Sequence, residues 1–375
     1  MVVKVALDVS AVPEHLAGAG RYIYEVARRL PTSGVTTTLV SRRNDGARWR
    51  AWSPDAAVAP IVPVGRLPRL LFEAVSLGMS EEARAADVWH GPHYTMPRRG
   101  KTPTVVTIHD LTFFTNPEWH ERSKAVFFRR AISYAASHAD VLISVSDFTA
   151  KQIDELLPGH APVVVAPHGV DLNHFAIDDD NDVSLLRAHQ LPVDVPYVFF
   201  LGTVEPRKGL DVLLRAFDIM SRNDTLIELW IAGQTGWGLK NLGAEIAGHP
   251  AASRIRRLGF IGDEMLPVLF RQSRAVAYPS RGEGFGLPVL EALACGASVV
   301  TSANTVMADV AGNTAILVDA GDATALAHEL SRTIASSDAD RATHSQRARA
   351  RAELFTWDVS MARHLEAYEL ARRGR

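Results

Sequence analysis

Apolar residues follow two alternating patterns along most of the chain. Short runs rich in β-branched residues, such as VKVALDV, TPTVVTI and YVFFLG, predict strands that are apolar on both faces and therefore buried between helices. Longer stretches between them, such as GLDVLLRAFDIMS, carry apolar residues at spacings of three and four, which is typical of amphipathic helices. The alternation predicts an α/β protein with doubly wound parallel sheets.

A change in composition divides this pattern into two halves. Residues 176–196 are polar, contain two prolines and precede the new strand YVFFLG. We predict a first Rossmann-like domain over 1–172, a linker over 173–195 and a second Rossmann-like domain over 196–355. The last segment, 356–375, has the pattern of a helix that packs back on the first domain.

Composition and charge exclude several classes of protein. The 375 residues are 47% hydrophobic and 22% charged with a net charge of −2, which fits a soluble globular protein and gives no sign of nucleic-acid binding. The opening residues MVVKVALDVS lack the pattern of a signal peptide, and no apolar run is long enough to span a membrane. The only cysteine, Cys295, fits a reducing compartment. We therefore expect a cytoplasmic protein without nucleic-acid partners.

A glycine-containing loop follows the first predicted strand. Gly18 and Gly20 precede the helical pattern RYIYEVARRL, but Ile23 stands where a dinucleotide fingerprint would need its third glycine. What remains is a loop whose backbone N–H groups can approach an anion at a helix N-terminus, with Arg21 adding charge. A flexible loop that only caps the helix explains this stretch equally well.

Polar residues also stand at the carboxyl ends of two predicted strands, where open α/β sheets bind ligands. His109 and Asp110 end the strand TPTVVTI, although a strand-end histidine with a helix-capping aspartate is the simpler interpretation. Arg207 and Lys208 follow YVFFLGTVEP and suit a diphosphate, because arginine can bind it in a bidentate manner and lysine acts as a point charge. The alternative is a surface pair that closes a turn.

The segment GEGFGLPVLE combines glycines with two glutamates. Gly284–Gly286 precede a helix that begins near Pro288, so their N–H groups can meet phosphate or hydroxyl oxygens. We place Glu291 in the first turn of that helix, from which its side chain reaches back toward the loop. A carboxylate facing a phosphate would be repelled by ~4 kcal/mol at 4 Å. Glu283 and Glu291 should therefore bind hydroxyl groups on either side of a diphosphate, although helix capping explains each glutamate singly.

These motifs resemble those of retaining glycosyltransferases of family 4, which have the GT-B fold. The interval from Glu283 to Glu291 matches the E-x7-E signature of that family. Six further motifs precede it and stand in the order that the family has along the chain. They are GAGRYIYEVARRL, VVTIHDLTFF, VSDFTAKQI, APHGVDLNHF, FLGTVEPRKGLDVLLRAF and LGFIGDEMLPVLF. The pairing of HDLTFFTNPEWH with GTVEPRKG is most similar to bacterial mannosyltransferases that use GDP-mannose. The resemblance implies two Rossmann-like domains that face each other across a cleft.

The resemblance also implies roles for individual residues. Arg207 and Lys208 correspond to the residues that bind the donor diphosphate and stabilise the leaving nucleotide. Glu283 corresponds to the residue that holds hydroxyl groups of the donor sugar, Glu291 to the one that binds the ribose, and His109 to the one that lies against the donor sugar. The other implied donor-binding residues are Gly18, Gly20, Gly202, Thr203, Gly259, Phe260, Ile261, Gly284, Phe285, Gly286 and Leu287, and Arg21 and Asp110 are implied for the acceptor.

One motif departs from the family pattern. Where the family usually has Pro-Glu-Val before a glycine-containing turn, this chain has Ala308-Asp309-Val310. This difference affects a contact near the nucleotide and not the fold.

The implied reaction is a retaining transfer of a hexose, with mannose from GDP-mannose as the favoured donor. The acceptor would be a hydroxyl of a glycan or a lipid-linked glycan in polysaccharide synthesis. We expect front-face displacement, closure of the two domains to exclude water, no protein-bound metal and no cofactor. The alternatives are a UDP-sugar-dependent transfer of glucose or N-acetylglucosamine, a non-catalytic nucleotide-sugar-binding module and a phosphorylase.

Two helical segments mix cations with large apolar residues and bear on membrane contact. RLPRLLFEAVSLGM (66–79) and ERSKAVFFRRAI (121–132) could lie on an anionic membrane that carries a lipid-linked acceptor. The residues alone favour the other interpretation, a helix packed on the core with solvated arginines.

Overall fold

The computed structural model describes residues 2–14, 16, 18–222, 226–234, 236 and 242–374. The chain forms two compact units: unit 1 consists of Met1–Gly169 with Trp357–Arg375, and unit 2 consists of Val170–Thr356. The C-terminal segment is thus part of unit 1. Residues 173–195, which the sequence analysis treated as a linker, are part of unit 2 and contain a helix.

Unit 1 contains a parallel β-sheet. Its strands, numbered in chain order, are β1 Lys4–Asp8, β2 Thr36–Arg42, β3 Ala57–Val62, β4 Val88–Gly91, β5 Thr104–Ile108, β6 Val141–Ser144 and β7 Val163–Val165. The seven strands lie in the order β3-β2-β1-β4-β5-β6-β7. The direction of strand addition reverses between β1 and β4, and ligands of doubly wound sheets bind beyond the carboxyl ends of the strands at such a point.

Helices cover this sheet and are also numbered in chain order. Those of unit 1 are α1 Ala19–Arg29, α2 Gly46–Trp52, α3 Arg66–Val75, α4 Glu81–Ala85, α5 Thr112–Thr115, α6 Arg122–His138, α7 Asp147–Leu156 and α16 Trp357–Arg373. Single 3₁₀ turns lie at Pro31–Ser33, Leu77–Met79 and Pro117–Trp119. The central strands β4, β5 and β6 are buried along their whole length, which the apolar sequences of β5 and β6 predict.

A buried network of hydrogen bonds joins α1 and α16 to the sheet. Tyr22 Oη lies 2.8 Å from Thr107 Oγ1 and 2.8 Å from His364 Nε2. On the neighbouring strand, His90 lies 2.8 Å from Thr107 Oγ1 through Nε2 and 2.9 Å from Tyr368 Oη through Nδ1. The hydroxyl groups and ring nitrogens of these five side chains therefore all have partners, which avoids the large cost of an unsatisfied buried group.

Burial keeps these histidines neutral. It lowers the pKa of His364 to about 4 and places the pKa of His90 well below its ordinary value. The pKa of His168 is lowered in the same way, again mainly by burial. A neutral imidazole can both donate and accept, as the network around Tyr22 requires.

Unit 2 contains a second parallel sheet. Its strands are β8 Tyr197–Leu201, β9 Glu228–Ala232, β10 Ile255–Gly259, β11 Ala275–Tyr278, β12 Val299–Ser302 and β13 Ile316–Val318. The six strands lie in the order β10-β9-β8-β11-β12-β13, so the reversal falls between β8 and β11. Loops after these two strands are the expected position of a ligand site.

The helices of unit 2 follow the same alternation. They are α8 Asp182–Ala188, α9 Leu210–Ser221, α10 Leu242–Ala247, α11 Met265–Gln272, α12 Leu287–Ala294, α13 Val306–Ala311, α14 Ala323–Ile334 and α15 Asp338–Ala352, with 3₁₀ turns at Pro206–Lys208 and Ala252–Arg254. A buried ion pair joins α8 to α11, because Arg271 binds Asp182 in a bidentate manner at 2.9 and 2.5 Å. This pair explains why the segment before β8 is part of unit 2.

The apolar pattern predicted most of the strands and missed three of them. β3 is a half-exposed edge strand that contains Pro60, and β10 is an edge strand that carries Arg256 and Arg257. β4 has the sequence VWHG, with a histidine that is buried only because Thr107 and Tyr368 satisfy its ring nitrogens. Edge position and buried polar contacts are tertiary features, so a hydrophobicity pattern does not reveal them.

The described helices do not include one long and apolar enough to cross a membrane.

The buried histidines give unit 1 a defined dependence of stability on pH. His364 has a folded pKa of about 4 and an unfolded value of ~6.5, so between these values only the unfolded state binds the proton. The free energy of unfolding should be highest above pH ~6.5 and fall toward pH ~4 by up to ~1.4 kcal/mol per pH unit for each such histidine. Urea denaturation monitored by hydrogen-exchange mass spectrometry would resolve unit 1 from unit 2.

Substitution of one histidine provides the control. His364→Gln should reduce this pH slope in unit 1, whereas His189→Gln, at an exposed position after α8, should leave it unchanged. An unchanged slope in the His364→Gln protein would contradict the assignment.

Candidate active site

Two loops meet at the carboxyl edge of the unit 2 sheet. The 3₁₀ turn Pro206–Lys208 follows β8, and Pro206 suits its first position because a missing N–H costs nothing there. Gly209 ends the turn with φ 71°, a conformation that favours glycine. A Cβ at Gly209 would collide with the carbonyl oxygen of Pro279, so this glycine also lets the loop after β11 approach closely.

The Glu283 carboxylate lies at the centre of the two loops. Its Oε2 accepts from Arg207 Nη1 at 2.6 Å, and its Oε1 accepts from Lys208 Nζ at 2.5 Å. Oε1 also accepts from Ser280 Oγ at 2.9 Å and from Tyr278 Oη at 3.1 Å. With only 10% of its side chain exposed, Glu283 is fixed by charge-assisted hydrogen bonds from both loops.

The electrostatics of this cluster fix its protonation state. Burial by itself would raise the pKa of Glu283, but the charges of Arg207 and Lys208 outweigh it and lower the pKa to about 2. Burial lowers the pKa of Lys208, and Arg207 adds to this effect while Glu283 opposes it. Burial, together with the charge of Glu283, raises the pKa of Tyr278 well above its ordinary value. Glu283 is therefore ionised near neutral pH, and Tyr278 keeps its proton and donates.

This geometry differs from the sequence argument in one respect. The sequence predicts that Glu283 binds hydroxyl groups beside a diphosphate, whereas in the structure its carboxylate is bound directly to Arg207 and Lys208. Oε1 already accepts three hydrogen bonds, so Oε2 has the remaining capacity for a ligand hydroxyl. The same carboxylate can thus orient the cations and still accept one further hydrogen bond.

A second ion pair supports the cationic turn from outside. The Arg281 guanidinium binds Asp211 of α9 in a bidentate manner, at 3.0 and 2.7 Å. Arg281 also donates through Nη1 to the Pro206 carbonyl and through its backbone N–H to the Arg207 carbonyl, the latter at 2.7 Å. Arg281 and Asp211 are thus positioning residues that hold the turn which carries Arg207 and Lys208.

The glycine loop precedes α12 as the sequence predicts. Gly286 caps the helix with φ 95°, and Pro288 is the second helical residue. Glu291 is the fifth residue of α12, so its predicted place in the first turn is wrong. It is buried, and it lies near enough to Tyr278 for its charge to contribute to the raised pKa of that phenol.

The remaining predicted donor residues of unit 2 lie in three loops. Gly202 and Thr203 follow β8 and precede the cationic turn. Gly259 ends β10 with φ 69°, and Phe260 beside it is half exposed. Gly284, Phe285 and Leu287 belong to the loop and helix start described above, while Ile261 follows Phe260. The parallel sheet brings these loops to one edge.

The predicted residues of unit 1 have contacts of their own. His109 is buried after β5, and its Nε2 donates to the Pro92 carbonyl at 2.8 Å, while Thr149 Oγ1 donates to the His109 carbonyl at 3.3 Å. Burial lowers the pKa of His109, so the ring is neutral. Asp110 Oδ1 accepts from Thr112 N at 3.0 Å and from Thr112 Oγ1 at 2.6 Å, although the N-cap of α5 is Leu111 and not Asp110.

The first glycine loop also forms a helix start. Gly18 caps α1 with φ 46°, and Gly20 and Arg21 are the second and third positions counted from Ala19. Gly20 therefore lies in the first turn of α1 and not ahead of it. Backbone N–H groups of a first turn have no intrahelical partner, so the predicted capacity for an anion is retained.

Unit 1 also contains a carboxylate pair that sequence reasoning missed. Asp8 ends β1, and Glu73 on the inner side of α3 is close enough for the two to interact. Burial, together with the charge of Asp8, raises the pKa of Glu73 to about 7, although Arg69 Nη1 lies 3.8 Å from Glu73 Oε2. The pair lies at the reversal point between β1 and β4, and no spacing rule connects residues 65 positions apart.

Both halves of the chain match known family models. Residues 16–174 match the model described as Glycosyltransferase Family 4, and residues 184–351 match the one described as Glycosyl transferases group 1.

Curated relatives and solved structures agree with these models. The chain is 30% identical over 285 residues to O-antigen chain mannosyltransferase B of Escherichia coli, covering 76% of this chain and 74% of that one. It is 34% identical over 394 residues to a D-inositol 3-phosphate glycosyltransferase of Actinosynnema mirum, covering 95% and 92%. Sucrose-phosphate synthase from Thermosynechococcus elongatus has a similar fold, with a TM-score of 0.77, 20% identity and coverage of 98% and 99%.

The two parallel sheets have the GT-B fold of the similar solved structure, and the family models and the curated relative identify a glycosyltransferase. The chain belongs to glycosyltransferase family 4, which the resemblance of its motifs implied.

The ion pair between Arg281 and Asp211 should affect turnover without affecting the stability of unit 2. Asp211→Asn weakens the support of the turn, so we expect kcat for donor consumption to fall ~10-fold, equivalent to ~1.4 kcal/mol, with little change in Tm. Arg215→Gln is the matched control, because Arg215 also lies on α9 within 3.6 Å of Asp211 but is highly exposed. Equal rates of nucleotide release from the two variants would show that Asp211 does not position the turn.

Proposed function

We propose that unit 2 binds a nucleoside diphosphate hexose and that the protein transfers the hexose, with retention of configuration, to a hydroxyl of a glycan or lipid-linked glycan. The observation that carries this proposal is the cluster of Arg207, Lys208 and Glu283 beside the loop Gly284–Gly286. A non-catalytic binding module would not need a buried lysine whose charge is held by a dedicated carboxylate. Such a lysine suits a leaving group that gains charge in the transition state.

The cationic turn accounts for stabilisation of the leaving diphosphate. Arg207 presents several N–H donors, Lys208 is a buried point charge, and the loop before α12 lies at the same edge of the sheet. Preorganised donors of this kind need no reorganisation when charge develops on the leaving oxygen. In this proposal the two side chains supply positive charge, and we expect no protein-bound metal to take part.

The state of Glu283 agrees with retention by front-face displacement. Its pKa of about 2 keeps it ionised, so it is a poor general acid, and its four hydrogen bonds hold it as an acceptor. Oε2 is then available to a hydroxyl of the donor sugar. The departing phosphate oxygen takes the proton of the acceptor hydroxyl as the new glycosidic bond forms, so the proton needs no side-chain base in unit 2.

For the donor we propose GDP-mannose. The similarity to a mannosyltransferase of O-antigen chains and the motif pairing in the sequence both support this choice. A UDP-sugar-dependent transfer of glucose or N-acetylglucosamine is the second candidate. The D-inositol 3-phosphate glycosyltransferase matches a larger share of the chain than the mannosyltransferase does, so the experiment includes donors other than GDP-mannose.

A donor panel combined with two lysine variants tests both parts of the proposal. Nucleotide release should be fastest with GDP-mannose and slow with UDP-glucose or UDP-N-acetylglucosamine. Lys208→Ala should lower kcat about 100-fold because it removes a buried donor to the leaving group. Lys151→Ala, at an exposed position on α7, is the control and should keep the full rate.

The two outcomes are separable. Release from UDP sugars alone would overturn the donor assignment, whereas equal rates for the two lysine variants would overturn the diphosphate assignment.

We also propose that α3 brings unit 1 to an anionic membrane carrying the acceptor. Leu67, Leu71 and Val75 stand four residues apart and are 79%, 68% and 38% exposed, so this face of the helix is not packed on the core. Apolar residues spaced by one helical turn form the stripe that enters a lipid interface. The second predicted segment, at the start of α6, has buried Ala125 and Ile132 and supports the proposal less.

Cations lie beside the apolar stripe. The turn after α3 packs against residues 98–101, where a Cβ at Gly78 would collide with the Arg99 carbonyl. Arg98 and Arg99 are exposed there, and each can contribute ~1 kcal/mol of attraction to anionic lipid. The arrangement has the apolar and basic parts that an interfacial helix requires.

Vesicle flotation tests this surface. The wild-type protein should float with vesicles of anionic phospholipid at low salt and remain behind with zwitterionic vesicles. Leu67→Ser with Leu71→Ser should abolish flotation, while Leu156→Ser on α7 should not, because Leu156 is exposed outside the stripe. No flotation of the wild-type protein would remove the membrane proposal and leave the donor site unaffected.

A further inference from the structure

A cavity lies at the amino edge of the unit 2 sheet, opposite the edge that carries the candidate active site. It has a volume of about 590 Å³ and is lined by segments that come just before three central strands. These are Val193–Pro196 before β8, Gln272–Arg274 before β11 and Cys295–Ser298 before β12. One side of α15 closes the cavity with Arg341 and neighbouring residues. We call this space the amino-edge cavity.

The amino-edge cavity is separate from the candidate active site. Arg207, Lys208 and Glu283 follow the carboxyl ends of β8 and β11, whereas the cavity residues precede the amino ends of the same strands. Helix α12 begins at the glycine loop and ends at Cys295, which lines the cavity. Eight residues of α-helix extend ~12 Å, so a small ligand in the cavity does not reach the cationic turn.

The walls of the cavity carry three arginines, Arg271, Arg274 and Arg341, of which the last two are partly buried. Arg271 is neutralised by its bidentate pair with Asp182 at 2.9 and 2.5 Å, and it forms a fixed part of the wall. Arg274 and Arg341 have no such partner among the described residues. The lining also contains the carboxylates Asp194 and Asp338, both exposed. Asp338 Oδ1 lies 3.9 Å from Arg274 Nη1, and its side chain is 98% exposed, so water screens it.

The charges of Arg274 and Asp338 both act on Arg341. Burial, followed by the charge of Arg274, lowers the pKa of Arg341, while the charge of Asp338 opposes this effect. Arg341 Nη1 is buried and has no hydrogen-bond partner within the part of the chain that the structure describes. Arginines placed side by side without a buried counter-ion are typical of sites for phosphate groups.

The lining also contains hydroxyl-bearing side chains. Ser298 and Ser345 belong to the wall, and the volume exceeds what an inorganic phosphate ion fills. We propose that the amino-edge cavity binds a phosphomonoester of a small polyhydroxylated molecule, with Arg274 and Arg341 on the phosphate and the serine hydroxyls on the polyol. The site is additional to the donor site and does not depend on the proposed transfer reaction.

Isothermal titration calorimetry with glucose 6-phosphate tests this site. The full chain should bind the probe with a Kd of about 1 mM or tighter, and neutral glucose should not bind detectably. Arg274→Gln and Arg341→Gln should each weaken binding at least ~10-fold. Arg347→Gln is the matched control, since Arg347 lies on α15 at an exposed position outside the lining.

A donor-site variant separates the two phosphate sites. The same titration of the Lys208→Ala protein should give an unchanged Kd, whereas loss of binding would show that the probe occupies the donor site and would overturn the proposal. Equal weakening by Arg347→Gln would show nonspecific attraction and would also overturn it. If inorganic phosphate binds as tightly as glucose 6-phosphate, the polyol part of the assignment is wrong.

Variants that affect folding are recognised separately. If circular dichroism shows that either glutamine variant is unfolded, Arg274→Lys and Arg341→Lys replace them, because lysine keeps the charge and loses the bidentate fork. Weaker binding by the lysine variants supports the proposal, and wild-type binding by both overturns it.

Discussion

The ion pairs of Glu283 with Arg207 and Lys208 are the interaction on which the carboxyl edge of unit 2 depends. Two cations on adjacent residues repel each other, and Lys208 is buried, so neither would keep this position without a carboxylate between them. The carboxylate also joins the loop after β8 to the loop after β11. Gly209 permits the close approach of these loops, and Arg281 and Asp211 hold the turn from the other side.

The two units solve the problem of buried polar groups in different ways. Unit 2 buries charges and pairs them, as in the Glu283 cluster and in the bidentate contact between Arg271 and Asp182. Unit 1 buries histidines in the neutral form and connects them to tyrosine and threonine hydroxyls, and it also buries the carboxylates Asp8, Glu25 and Glu73. A paired charge keeps its field available to an anionic ligand, whereas a neutral network contributes structure without net charge.

Much of the candidate site could be predicted because its residues lie where local rules apply. Arg207 and Lys208 follow a strand end, and the glycine loop precedes a helix that contains Pro288 near its start. Glu291 lies about one residue beyond its predicted place in the first turn, because a proline is compatible with several positions at a helix start. The roles of Tyr278 and Asp211 were missed, since both act through contacts with residues of another loop.

The sequence by itself determined the alternation of buried strands and amphipathic helices, the two-fold division of the chain and the family to which it belongs. These properties follow from hydrophobic periodicity and from motifs whose residues are neighbours along the chain. Only the tertiary structure decided which charges neutralise one another and where uncompensated arginines remain. Coulomb interactions depend on distance through space and on burial, and the packing of strands into a sheet sets both quantities.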